Sequence, residues 1–192
     1  YRPPARLRSP RAAAHRPVAP DPACPGCGLG RFGSALATEL VKSGHQVLGI
    51  DTDDRIVQGL ATTLTHVVSA DTTDEDTLRE LGITDMDSAV VAIGADLEAS
   101  ILTASLLLQL GVKQVWAKAN STSHGRILTQ IGVHHVIFPE YEMGRRVAHQ
   151  VSGESLDYVH IDEDFVMVKT YVPEVFEDQP LSEAKIRATF GV

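Results

Sequence analysis

The sequence predicts an α/β fold: a Rossmann-like, doubly wound parallel sheet, followed by the truncated start of a second, small α+β domain. Three observations predict it. Gly28-Leu29-Gly30-Arg31-Phe32-Gly33 reads G-x-G-x-x-G and opens straight into a helical pattern. Past those glycines, short apolar strand-like runs alternate with helical runs across short loops, the pattern of a parallel sheet with crossover helices. An acid, Asp51, closes the first strand-like run about 20 residues beyond the glycines, where a dinucleotide fingerprint expects a partner for a ribose hydroxyl.

Each element has a local reason. Phe32, Ala35, Leu36 and Leu40 recur at helical spacing, and Ser43-Gly44 stops that helix. Gln46 to Ile50 is a strand. Thr52 or Asp53 caps a short helix through Leu60. His66 to Ala70 is a strand ending at Asp71, and Asp74 to Leu81 is a helix closed by Gly82. Ser88 to Ile93 is an apolar run suited to a strand buried on both faces. Asp96 caps a long apolar helix, Leu97 to Leu110, ended by Gly111. Gln114 to Ala119 is a strand, Ser123 caps a helix ended by Gly132, His134 to Phe138 is a strand, and Pro139 starts a helix running to Val151.

The ends of the chain read differently. Residues 1–22 are rich in Arg, Pro and Ala, with no apolar h-region, and are expected to form a disordered tail or a non-native one. The place of the first Rossmann strand, residues 18–25, holds Pro20, Pro22 and Pro25. Three prolines are expected to keep this segment out of a central strand, leaving the first strand missing or distorted. Residues 23–152 form the nucleotide-binding domain. Residues 153–192 hold two strand-like runs, Leu156 to Ile161 and Phe165 to Val172, and a short helix, Leu181 to Ala188. They are too few for an independent core and look like the start of a domain that was cut.

Composition narrows the function. The formal net charge is −8, yet Arg2, Arg6, Arg8, Arg11 and Arg16 put positive charge alone in the first 20 residues. The remainder is therefore more acidic than the whole and is a poor nucleic-acid binder. No apolar run approaches the roughly 18 residues a membrane span needs. The two cysteines, Cys24 and Cys27, lack the second pair a structural zinc site requires. A thiol redox role for this C-x-x-C is weakened because Cys27 adjoins the glycine turn, where a small residue suffices. Cysteine usage points to the cytoplasm.

The candidate cofactor-binding residues are Gly28, Gly30, Arg31, Phe32, Gly33, Asp51, Asp71, Gly94 and Ala95. Gly28 allows a tight turn, Gly30 lets backbone approach a pyrophosphate, and Gly33 lets the helix pack against the sheet. The helix N-terminus offers unpaired N–H groups to a phosphate. Asp51 accepts a ribose hydroxyl and repels a 2′-phosphate, favouring NAD or an adenine nucleotide over NADP; otherwise it is a capping or solvated acid. Arg31 sits against the helix dipole, which makes sense if an anion is bound; otherwise it is an exposed arginine. Asp71 lies at the strand edge where an adenosine half belongs, or caps the next helix. Gly94 and Ala95 are small enough to let a ligand approach. His134 and His135 point to opposite faces of a strand, so they do not readily share one metal. The helix bearing Leu102, Leu106 and Leu110 reads as core or dimer contact.

With Gly28 to Ser34, Gly49-Ile50-Asp51, Ser69 to Asp74, Val90 to Ala95, Val115 to Asn120, Phe138-Pro139-Glu140 and Met143-Gly144, the chain resembles the RCK/KTN-domain peripheral subunits of Trk/Ktr-type bacterial potassium uptake systems (TrkA/KtrA family). The resemblance covers Gly26 to Val192. It implies a non-enzymatic, cytoplasmic regulatory subunit at the inner face of the membrane. It further implies homodimers assembled into a ring beneath a transmembrane potassium transporter, with ATP/ADP or NAD(H) shifting the transporter between states. In that family the counterpart of Arg31 reaches the terminal phosphates of ATP. The counterpart of Glu140 can meet a divalent cation near the nucleotide; otherwise Glu140 is a first-turn glutamate favoured by the helix dipole. An NAD-dependent oxidoreductase is the competing reading, and it lacks a substrate domain and a positioned acid or base.

Overall fold

Chain-order alternation translates into a six-stranded sheet in the computed structural model, which describes residues 24–152, 157–162 and 165–169. The strands are β1 (Cys24–Cys27), β2 (Val47–Asp51), β3 (His66–Ser69), β4 (Ser88–Val91), β5 (Gln114–Lys118) and β6 (His135–Ile137). They lie in the order β3-β2-β1-β4-β5-β6, every neighbouring pair parallel. Five helices connect them: α1 (Arg31–Lys42), α2 (Asp54–Leu60), α3 (Glu75–Glu80), α4 (Leu97–Gln109) and α5 (Thr122–Gln130). The chain winds outward from β1 to β3, then returns to β4 and winds the other way. That reversal between β1 and β4 is the topological switch point, whose carboxyl edge is the ligand crevice of such sheets.

The first strand corrects the expectation from its prolines. Residues 24–27 pair with β2 from Cys24↔Val47 to Cys27↔Ile50. Gly28 N–H donates to Ile50 O at 2.8 Å, and Ala92 N–H donates to Cys27 O at 2.7 Å. The even-numbered amides therefore face β2, and those of residues 25 and 27 face β4. The pairing to β4 runs from Gly26↔Val90, so Pro25 stands one residue ahead of it, at the start of the strand, where a missing N–H leaves the rest of the ladder intact. Pro20 and Pro22 lie outside the described residues.

The central strands are buried because helices cover both faces. Val47, Ile50, Val91, Val115 and Ala117 are at most 1 % exposed. One cluster joins Leu29, Ala37, Val47 and Leu64, with Leu40, Ile56 and Leu60 packed against it. Helix starts are set by local chemistry. Asp53, Asp74 and Asp96 accept backbone N–H groups at the starts of α2, α3 and α4. For α5 the cap is Ser121, not Ser123: Ser121 is extended, and its hydroxyl accepts His124 N–H at 3.2 Å, three residues into the turn. α4 and α5 end at Gly111 and Gly132, both left-handed.

Gly26 leaves an opening in this core. A Cβ there would meet nothing within 4 Å, although the residue sits mid-strand beside Leu36, Leu40 and Val47. Gly26→Ala is expected to stabilise the fold by about 0.5–1 kcal/mol, because glycine carries an entropic cost in a strand. Chemical denaturation reads this as a raised midpoint, and a lowered midpoint would contradict the packing described for β1.

The chain divides into two compact units at the Ile137–Phe138 junction. The second contains α6 (Pro139–Val151) and an antiparallel hairpin of β7 (Asp157–Asp162) and β8 (Phe165–Lys169). The expected helix at Leu181 to Ala188 lies outside the described residues. No helix among the described residues is long and apolar enough to cross a membrane.

Candidate functional site

The site grows out of the turn between β1 and α1. Gly28 takes a left-handed φ of +90°, and a Cβ on it would come within 2.9 Å of the Ile93 amide nitrogen. Gly33 is tighter still, since a Cβ there would lie 1.9 Å from the Gly28 carbonyl oxygen. These two glycines let α1 start directly against the end of β4. Gly30 differs, because its missing Cβ faces open space. An approaching ligand would meet bare backbone there.

The N-terminus of α1 has no side-chain cap and no acid in its first turn. Carboxylates or a hydroxyl cap α2 to α5. The first α1 N–H groups thus have no side-chain cap, at the positive end of the helix dipole, a setting that suits an anion. Arg31 stands exposed at the first helical position, and among the described residues its guanidinium makes no hydrogen bond or ion pair. Phe32 beside it is half-buried.

Asp51, at the carboxyl end of β2, faces this turn. Its Oδ2 accepts Leu29 N–H at 2.6 Å and its Oδ1 accepts Asp53 N–H at 2.9 Å. Asp53 caps α2, and the Arg55 guanidinium beside it holds its carboxyl below the usual range. One strand further out, Asp71 does not cap α3; Asp74 does. The Oδ1 of Asp71 instead accepts the N–H and the hydroxyl of Thr73, at 2.9 and 2.7 Å, closing its own turn. Asp51, Asp53 and Asp71 give the β2–β3 edge a negative character.

Across the switch point, Gly94 and Ala95 are exposed just past β4. The structure adds three residues here that sequence reasoning did not single out. Asn120 donates its side-chain amide to Gly94 O at 2.5 Å. Its backbone N–H donates to His124 Nδ1 at 3.3 Å. His124 is 1 % exposed, burial pushes its pKa down, and its Nε2 has no hydrogen-bond partner among the described residues. The end of Lys118 lies 3.5 Å from where a Gly94 Cβ would be. A usable signal existed: Lys118 to Asn120 end the strand next to β4, and strand ends beside a switch point line the crevice.

Glu140 is exposed in the first turn of α6, in the second unit. Among the described residues no group of three or more His, Cys, Asp or Glu could hold a metal ion. His134 Nδ1 accepts Val115 N–H, while His135 stacks on Trp116 at 3.8 Å and pairs with Gln114, so both serve the β5–β6 edge. Cys27 is fully buried and forms no disulfide.

Comparison with known proteins agrees with this geometry. Residues 27–139 match the TrkA-N domain. The chain is 35 % identical over 165 residues to Ktr system potassium uptake protein A of Bacillus subtilis (strain 168), covering 85 % of this chain and 74 % of that protein. Among solved structures, GsuK bound to ADP superimposes with a TM-score of 0.61 at 15 % identity, covering 86 % of this chain and 51 % of that one. The GsuK channel bound to NAD gives 0.57 at 16 % identity, covering 68 % and 23 %. These two likenesses are of fold. With the family matched over more than half of this chain and a relative at that identity, the chain belongs to the TrkA-N domain family.

Proposed function

We propose that this chain is a regulatory subunit of a potassium uptake system. It binds an adenine nucleotide at the glycine-loop edge of its sheet and passes the occupancy of that site to a membrane potassium transporter. The observation that carries the reading is the α1 N-terminus: uncapped, open at Gly30, flanked by an exposed Arg31, and set beside Asp51. Similarity to a Ktr system potassium uptake protein supports the transport role. GsuK, which shares the fold, was solved with ADP and with NAD.

In this reading the α1 amides and Arg31 hold the phosphates, and the Asp51–Asp71 edge receives the adenosine half. Gly94, Ala95 and the Lys118–Asn120 strand end line the opposite wall. The acidic edge disfavours a 2′-phosphate, so ATP/ADP or NAD(H) fit and NADP does not. A divalent cation at Glu140, homodimers assembled into a ring, residues 23–152 as the sensing domain, and a cytoplasmic position under the transporter belong to the same proposal. Regulation follows if the two nucleotide states make different contacts, because only differential binding shifts a conformational equilibrium.

Calorimetry with ATP, ADP, NAD and NADH, run beside a dehydrogenase assay, tests this. Saturable nucleotide binding without turnover is expected; hydride transfer would replace the proposal with an oxidoreductase. Arg31→Ala is expected to lose the preference for ATP over ADP while keeping the adenosine contacts, since a guanidinium can hold terminal phosphates in bidentate fashion. Equal discrimination by wild type and variant would remove Arg31 from the site.

A further inference from the structure

We propose that Leu29, the middle residue of the G-x-G turn, is a positioning residue that holds the phosphate-binding backbone in its competent shape, with Gly49 as its seat. The proposal rests on the nucleotide-binding reading and extends it behind the loop. Leu29 is held from two directions. Its N–H donates to Asp51 Oδ2 at 2.6 Å. Its side chain, 2 % exposed, is sunk into the cluster with Ala37, Val47 and Leu64. The seat exists because β2 carries glycine there: a Cβ on Gly49 would lie 3.0 and 3.2 Å from the two δ carbons of Leu29, and 2.8 Å from Leu64 Cδ1.

The physical need is clear from the neighbours. Gly28 and Gly30 flank Leu29, and glycine restricts backbone conformation least. Gly30 has no side chain to hold it, and a Cβ there would meet nothing within 4 Å. A turn with two such residues samples alternatives unless something between them is fixed. Leu29 supplies that fixed point through burial and one hydrogen bond. A loop that occupies its competent shape only a tenth of the time weakens apparent affinity about tenfold, whatever the intrinsic contacts.

The test compares two deletions of equal chemistry in one cluster, made in the full chain. Leu29→Ala and Leu64→Ala each remove the same atoms from the same apolar cluster, so both lower the melting temperature. Only Leu29→Ala is expected to raise the dissociation constant for ADP, by about tenfold, with Leu64→Ala within about twofold of wild type. Leu29→Met, which conserves volume, is expected to restore binding. Wild-type affinity in Leu29→Ala, or an equal loss in Leu64→Ala, overturns the proposal. If Leu29→Ala does not fold, Leu29→Val is read in its place. Amide hydrogen exchange without ligand gives a second readout: residues 29–31 exchange faster in the Leu29 variant alone, and unchanged exchange there overturns the proposal. If wild type takes no ADP, the nucleotide reading falls while the exchange comparison still decides the role of Leu29.

Discussion

Gly33→Ala is expected to damage both the fold and nucleotide binding. The added Cβ would lie 1.9 Å from the Gly28 carbonyl oxygen and 3.2 Å from the Ala92 side chain. The first obstacle is backbone in a turn already held by the Gly28 N–H bond to Ile50 O. It cannot rotate away as a side chain would, so α1 must lift from the sheet. Overpacking of this kind typically costs about 1–3 kcal/mol, and an obstacle made of backbone places this case at the upper end or beyond. Denaturant unfolding should show a much lower midpoint with or without nucleotide. Gly30→Ala is the informative contrast. Its φ is −60° and its Cβ would meet open space. Stability should therefore hold, while ADP binding weakens if, as proposed, phosphate approaches the space the new methyl takes. A Gly30→Ala variant that binds ADP normally would move the phosphate site away from this loop.

The second large effect is at Asp51. Removing its carboxylate in Asp51→Ala strips the acceptor from Leu29 N–H and from Asp53 N–H, and removes the group that the proposed function assigns to a ribose hydroxyl. Loss of a charge-assisted hydrogen bond to ligand corresponds to about 1–3 kcal/mol of binding free energy. Calorimetry with ADP should show that loss, and melting of the unliganded variant should show a smaller loss from the two orphaned amides. Asp51→Asn separates the two roles. It keeps one carbonyl acceptor for the turn and loses the charge that repels a 2′-phosphate, so discrimination against NADP should narrow. An unchanged ADP dissociation constant in Asp51→Ala would make Asp51 a structural acid alone.

Much of this molecule was legible from residue order, and the reasons are local. A helix start depends on a residue and the amides two or three positions on, which is why Asp53 and Asp96 could be placed, while for α3 the structure caps with Asp74 and not Asp71. Where three hydroxyls stood in a row, at Ser121-Thr122-Ser123, backbone conformation chose the first of them. The glycine turn and Asp51 were legible for the same reason, since the fingerprint is a spacing along the chain. The family resemblance rested on matched segments, and the family match and the relatives show the membership.

What the chain could not reveal by itself was decided by neighbours distant in sequence. Whether Pro25 breaks a central strand depends on which strand its missing N–H faces and where that strand begins pairing. Gly49 read as an ordinary strand residue until β2 lay under Leu29 and Leu64. Lys118, Asn120 and His124 joined the candidate site only when β5 was set beside β4, which brought the Asn120 side chain onto Gly94 O across 26 positions. Sequence alone determined the elements past β1 and the glycine turn, because those follow from bonds and periodicities a few residues long. Tertiary structure alone decided which side chains meet beside Gly94 and what packs behind the glycine turn, because contacts across a parallel sheet join segments whose spacing in the chain carries no trace of their adjacency.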